Sequence, residues 1–416
     1  MYICNVNAII HKMYIKRTIT ESLKKNLSSF SSVAITGARQ TGKSTLLKKM
    51  FGDEYNYISF DDLLIRERAL NDPSLFMTEI KEKTILDEIQ YVPNLLSYLK
   101  IEIDKHKNQK GKYILTGSQQ FSMMKGISET LAGRIALMSL FPMSYSELLQ
   151  NKKYNKHTES TEAFFKYACL NGLYPELCTN KKLENKTWYS SYVQTYLERD
   201  IKSIYNIGDL RTFGQFIRIL ASRCSQLINY SEISKEVGVS VNTIKNWVSI
   251  LEASQIIYTL NPYYENLGKR IIKSPKVYWL DSGLVCYLSG IYNVEHLQYG
   301  IMSGSLFENV VISETIKFLN NNNLYNNIHF LRTSNNQEID LLIQSGDKIF
   351  PFEIKLNKMP KSSMVKSIDS IRELFPKMNI QKGNIICMVD KGFPITNNAD
   401  VLNLKEYLDF LKKNLM

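Results

Sequence analysis

Cysteine and histidine are scarce in this 416-residue chain. The six cysteines, Cys4, Cys169, Cys178, Cys224, Cys286 and Cys387, are too sparse for a disulfide framework and form no C-x-x-C pair. Five scattered histidines supply no metal-ligand cluster. No apolar run reaches the roughly 18 residues that a membrane span needs. The opening stretch, MYICNVNAIIHKMYIKR, lacks both an apolar h-region and a small-residue cleavage site, so no signal peptide is expected. Together these absences predict a reduced, cytoplasmic protein with no membrane partner.

What is present is ordinary for a folded protein: 44% hydrophobic and 22% charged residues, in a length that suits two to four domains. The net charge of +12 has two readings. It favours an anionic partner such as nucleic acid, or it reflects a lysine- and asparagine-rich composition general to the host.

The stretch SSVAITGARQTGKSTLLKKMF sets an apolar strand, a glycine-rich turn and a helix in succession. Gly37, Ala38, Arg39, Gln40, Thr41, Gly42, Lys43 and Ser44 fit G-x-x-x-x-G-K-[ST] at every fixed position. The glycines let backbone N–H groups wrap a phosphate, and the helix start, with Thr45 next in line, adds its dipole. Lys43 is expected to reach the β- and γ-phosphates of ATP and Ser44 to hold Mg²⁺. Some forty residues on, KTILDEIQ supplies a strand ending in two carboxylates. Asp87 is the expected Mg²⁺ partner and Glu88 the group that polarises the attacking water. The next strand, KYILTGSQQF, presents Ser118 either as a γ-phosphate sensor or as part of a plain turn. Arg134, in LAGRIALMSLFP, is either an arginine finger or phosphate sensor, on its own or a neighbouring subunit's nucleotide, or a surface ion pair. The finger reading allows a homo-oligomer.

GARQTGKST, LDEIQ, ILTGSQQF, LAGR and FPMSYSELL, in this order, resemble the prokaryotic AAA-type ATPases that carry a C-terminal domain of unknown function. The resemblance runs over nearly the whole chain from Met13. Where that family usually has proline in the loop this chain has Ala38, which spares every phosphate-binding position. The resemblance implies an α/β P-loop NTPase (AAA-type) core over residues 1–150, with ATP and Mg²⁺ as cofactors. It also extends to YISFDDLLIRERALNDPSLF, with Asp61 and Asp62, whose role the sequence does not give.

Residues 151–205 read as a helical lid and connector, in which Arg199 and Asp200 either contact nucleotide or a neighbouring unit. LINYSEISKEVGVSVNTIKNWVSILEASQIIYTLNPYY then predicts a winged helix-turn-helix over 206–295. Ser231 and Ser240 are the expected helix caps, and Ile244, Trp247, Val248 and Leu251 the buried face. Asn242, Thr243, Lys245 and Asn246 are exposed candidates for DNA contact, and the wing segment carries Lys269, Arg270, Lys273 and Lys276. A packing or relay role is the alternative.

In the last part, 296–416, EIDLLIQSGDKIFPFEIKL reads as a hairpin about Gly346-Asp347. That register pairs Leu341 with Phe352 and Ile343 with Phe350, and sets Asp340 opposite Glu353. Like charges opposed across a sheet are destabilising, so this pair needs a reason. Glu308 on a preceding helix, then Asp340, then Glu353-x-Lys355, resembles the PD-(D/E)xK order of restriction-endonuclease-like α/β folds. The resemblance implies a metal held by Glu308, Asp340 and Glu353, with Lys355 activating water for DNA cleavage. A solvated salt-bridge face, or a module of this fold that binds without cutting, is the alternative. Pro351 inside the second strand suggests a bulge.

Overall fold

The computed structural model describes residues 14–80, 83–117, 130–200, 210–263, 274–333 and 337–416, the side chains of 198–200 and 374 excepted. Ser118 and the wing residues Lys269, Arg270 and Lys273 lie outside the described residues, as do the side chains of Arg199 and Asp200.

Five short strands, β1 (Ser32–Thr36), β2 (Asn56–Ser59), β3 (Thr84–Asp87), β4 (Tyr113–Gly117) and β5 (Ile135–Ser139), form one sheet in the order β2-β3-β4-β1-β5. All its neighbours run parallel. β1 and β4 are buried along their whole length, as befits strands covered on both faces. β1 stands where the strand order reverses, so the loop leaving it emerges at the crevice where α/β sheets take ligands. That loop feeds α1 (Lys43–Phe51).

Short helices follow over 145–200. Their interior is aromatic, with Trp188 stacked on Tyr192 at 5.0 Å between centroids. Next come α2 (Tyr230–Val237), α3 (Val241–Ala253) and an antiparallel pair, β6 (Ile257–Leu260) with β7 (Lys276–Trp279). Ser240 caps α3, accepting from the Thr243 N–H at 3.1 Å. Ser231 is not a cap: Asn229 takes that position for α2, and Ser231 lies inside the helix. Ile244, Trp247, Val248 and Leu251 are buried, while Asn242, Lys245 and Asn246 are exposed.

The C-terminal unit opens with α4 (Ser303–Asn321), buried on nearly every side rather than along one stripe. Behind it are β8 (Ile328–Arg332), β9 (Glu338–Ser345), β10 (Lys348–Ile354), β11 (Asn379–Ile380), β12 (Gly383–Ile386), β13 (Phe393–Thr396) and β14 (Ala399–Leu402). The sheet order is β13-β14-β12-β10-β9-β8, with β11 beside β10. α5 (Lys366–Leu374) packs against β9 and β10, and α6 (Leu404–Leu415) against α4 and β14.

The hairpin pairs Leu341 with Phe352 and Ile343 with Phe350, the register that alternation about Gly346 predicts. Pro351 makes no bulge. Ile349 accepts from Gln381 and Lys355 donates to Ile386, so odd residues of β10 face β11 and β12. Pro351, with no N–H, falls in the gap between those two partners. The ladder with β9 ends at Phe352, and Asp340 is not paired with Glu353. Instead the Asp340 carboxylate accepts the Ile354 N–H at 2.8 Å.

α4 touches all three parts of the chain. Near its start, Asn309 exchanges hydrogen bonds of 2.7 and 3.0 Å with the Trp279 backbone on β7. Near its end, Asn320 donates to the Ser139 carbonyl of β5 at 2.5 Å, and Lys317 to Met143 at 3.1 Å. Between them Glu314 accepts the Tyr145 N–H at 2.7 Å.

Candidate functional site

The residues after β1 adopt the backbone that a phosphate loop requires. Gly37 has φ +156°, and a side chain there would collide with the Leu140 carbonyl. Gly42, with φ +90°, closes the turn as the N-cap of α1. Ala38 is buried and belongs to the same hydrophobic cluster as Ile15 and Phe141. Thr41 caps the loop from within, donating to the Ala38 carbonyl at 3.0 Å. Arg39 leans over the Tyr196 ring, 5.6 Å from its centroid, and Gln40 sits at φ +66°. Thr45 is exposed on the first turn of α1.

Lys43 turns into this loop and bonds the carbonyls of Gly37 and Ala38 at 2.9 and 3.1 Å. Burial lowers its pKa, against the opposing pull of Glu88 and Asp87. Ser44 points its hydroxyl at the Asp87 carboxylate, 3.2 and 3.3 Å away. Asp87 also accepts from the hydroxyls of Tyr57 and Thr116. Glu88 follows with φ +58°, a left-handed conformation uncommon outside glycine, and the Gln90 amide bonds its carboxylate. Its N–H donates to Thr116 at 3.3 Å. The loop, the hydroxyl and the acid pair therefore meet at one edge of the sheet.

Three residues of this neighbourhood have no role assigned from the sequence. Arg17 is buried and bonds the Thr41 carbonyl at 2.8 Å, the Phe141 carbonyl at 2.6 Å and Glu147 at 3.0 Å. It clamps the loop from behind. Tyr57 reaches Asp87 from the neighbouring strand. Asp61 lies in the field of Glu88 and Asp87; burial first, then those two charges, raise its pKa. Asp62 is a helix cap, accepting from Leu64 and Ile65 at 2.9 and 3.2 Å.

Arg134 is not near this edge. It precedes β5, level with the start of β1, whose Ser32 N–H bonds the Arg134 carbonyl. The phosphate loop leaves the far end of β1, roughly 15 Å along the strand. Arg134 instead makes a two-pronged ion pair with Asp104 at 2.7 and 3.0 Å. This is the surface ion pair of the alternative reading of Arg134.

The second expected site also departs from expectation. Glu308 is bonded by Lys276 at 2.9 Å and by Tyr278 at 2.6 Å. Lys276 reaches Glu338 as well, at 2.5 Å. Lys355 bonds Asp340 at 2.9 Å and Glu353 at 2.6 Å. Glu308 is thus held by one lysine, and Asp340 and Glu353 by another. Among the described residues no three His, Cys, Asp or Glu side chains form a metal-holding group. Lys276 is also not an exposed wing residue, being 3% exposed within β7.

Asp340 and Glu353 interact without being paired across the ladder, and their shifts run in opposite directions. Burial, then the charge of Asp340, pushes Glu353 up to about 8, with Lys355 opposing. Asp340 is held low: burial opposes this, but Lys355 and Lys276 outweigh it.

Sheet order, phosphate loop and acid pair together have the arrangement of a P-loop fold. Residues 29–149 match the AAA domain family. Residues 162–295 match a domain of unknown function (DUF8612), and residues 303–407 another (DUF4143). An uncharacterized protein of Mycobacterium tuberculosis is 25% identical over 385 residues, 92% of this chain and 82% of its own length. An uncharacterized protein of Methanocaldococcus jannaschii is 25% identical over 408 residues, 92% of this chain and 87% of its own. Among solved structures, the Walker-type ATPase of Pyrococcus abyssi matches 66% of this chain and 96% of its own, at 13% identity and TM-score 0.43. No helix among the described residues is long and apolar enough to cross a membrane.

Proposed function

We propose that this protein is a Mg²⁺-dependent ATPase that works as a nucleotide switch, with its C-terminal half as the part that responds. The observation that carries this reading is the meeting of Lys43, Ser44 and Asp87 around the loop at residues 37–44. The donor set fits the group: a lysine and loop amides for the β- and γ-phosphates, a hydroxyl and a carboxylate for Mg²⁺. Bound there, Mg²⁺ would neutralise charge on the phosphate tail. Lys43 would exchange its loop carbonyls for phosphate oxygens, losing little, because both are acceptors in a dry site. Glu88 would hold the attacking water and take its proton as the γ-phosphoryl group leaves ADP.

Coupling is supported by what stands one residue before the loop. Gln255, in the turn after α3, donates to Ser139 at 2.6 Å and to Thr36 at 3.3 Å. Asn320 of α4 bonds the Ser139 backbone. A shift of the loop on nucleotide binding is thus felt at once by α3 and α4.

A second reading adds DNA as the partner. The exposed row Asn242, Lys245 and Asn246 on α3, in a chain of net charge +12, favours it. The deciding experiment is ATP titration with Mg²⁺, then turnover with and without single- and double-stranded DNA. Saturable ATP uptake lost in Lys43→Ala supports the ATPase, and its absence in a folded chain ends that reading. Turnover that DNA leaves unchanged removes the second reading and leaves the first.

A further inference from the structure

Four carboxylates converge in the C-terminal unit: Glu308 from α4, Glu338 and Asp340 from β9, and Glu353 from β10. Each already has a cation of this chain. Lys276 serves Glu308 and Glu338, Arg332 serves Glu338 at 3.1 Å, and Lys355 serves Asp340 and Glu353. A divalent ion needs several oxygens about 2.0–2.6 Å from one point. Here the trio that the fold resemblance implies is split, Glu308 to one lysine and the other two to the second.

A divalent ion entering this cluster would have to displace a lysine whose ammonium is buried. Such a displacement leaves that ammonium unpaired, which is strongly unfavourable.

We infer that this cluster is an ion lattice in which Lys276 stands as the internal cation, making the C-terminal unit a docking module for β7 rather than a metal-dependent nuclease, with Glu353 Oε1 as the one buried carboxylate oxygen left without a partner among the described residues. Lys276 belongs to β7, and it crosses to α4 and β9. Asn309, one residue after Glu308, grips the same strand through both backbone groups of Trp279. Lysine and asparagine together fix the strand by charge and by register.

The test is a Mn²⁺ titration of the full chain without nucleotide, following free Mn²⁺ by its paramagnetic resonance. Wild type and Asp340→Asn are expected to take up Mn²⁺ alike, and neither to nick plasmid DNA. Uptake or nicking by wild type that Asp340→Asn abolishes would overturn the inference. Lys276→Met keeps the stem and drops the charge. It is expected to gain one Mn²⁺ per chain, with a rise in unfolding temperature on Mn²⁺ addition that wild type lacks. Adding Asp340→Asn should remove both. A folded Lys276→Met chain with no gain would overturn it too. Should that variant not fold, the comparison of wild type with Asp340→Asn decides alone.

Discussion

The Gln255 side chain crosses from the turn after α3 to the Ser139 hydroxyl on β5, 2.6 Å away. Gln255 holds φ at +54°, is buried, and its carbonyl oxygen has no hydrogen-bond partner among the described residues. Left-handed backbone in a non-glycine residue costs of order 1 kcal/mol and persists where surroundings enforce it. Ser139 lies beside Thr36, the residue before the phosphate loop. Gln255→Gly is expected to relieve the backbone while severing this link. Stability should change by no more than about 1–2 kcal/mol, since one buried hydrogen bond is lost as strain is released. The informative measurement is limited proteolysis with and without ATP. Nucleotide-dependent protection of the C-terminal half, present in wild type, should vanish in the variant even though ATP still binds.

Glu88 combines that same kind of strain with the position proposed for the general base. Glu88→Gln keeps side-chain size and the bond from Gln90 but cannot take a proton. ATP affinity should be kept, and turnover should fall by about 10²–10⁴-fold, the usual contribution of a general base. Equilibrium binding and steady-state phosphate release on the same preparation check this. Turnover near wild type would move the base elsewhere, Asp61 being the nearest candidate by charge.

The phosphate loop was legible because its demands are local: Gly37 and Gly42 supply backbone that other residues resist, and Lys43 and Ser44 follow at fixed spacing. The hairpin register was legible too, from alternation around Gly346. What stayed hidden arrives from elsewhere in the chain. Arg17 reaches the loop from a segment 24 residues away, and Tyr57 reaches Asp87 from another strand. Lys276 read as an exposed wing residue because nothing in its own stretch announces the carboxylates of α4 and β9. Arg134 read either as a nucleotide contact or as a surface ion pair, and only the parallel register, which puts that end of the sheet away from the loop, favours the second for its own nucleotide.

Arg134→Ala tests that last reading. The lost pair with Asp104 is at the surface, so the unfolding midpoint should hardly move. ATP affinity of dilute chains should stay within about twofold, and hydrolysis likewise, if no subunit lends this arginine to another. Measuring turnover across a range of protein concentrations separates the cases. A defect that grows with concentration would assign Arg134 to a neighbour's nucleotide.

Glu353 gives stability a pH dependence whose sign is fixed by its shift. Its ordinary value is 4.5, and the folded chain raises this to about 8 by burial and by Asp340. Between those two values the folded state holds a proton that the unfolded chain has released, so stability falls as pH rises. Below 4.5 the group contributes nothing, and above 8 the penalty is complete. Its full size is on the order of a few kcal/mol, a shift of one unit corresponding to about 1.4 kcal/mol. Glu353→Gln keeps the shape, can donate to Asp340 and accept from Lys355, and has no proton to lose. The variant should therefore gain on wild type progressively from pH 5 to pH 9, and least at the acid end. Urea unfolding midpoints across that range read the difference directly. Parallel curves for the two chains would mean that Glu353 ionises normally, and that the opposed carboxylates are both charged and held by the lysines alone.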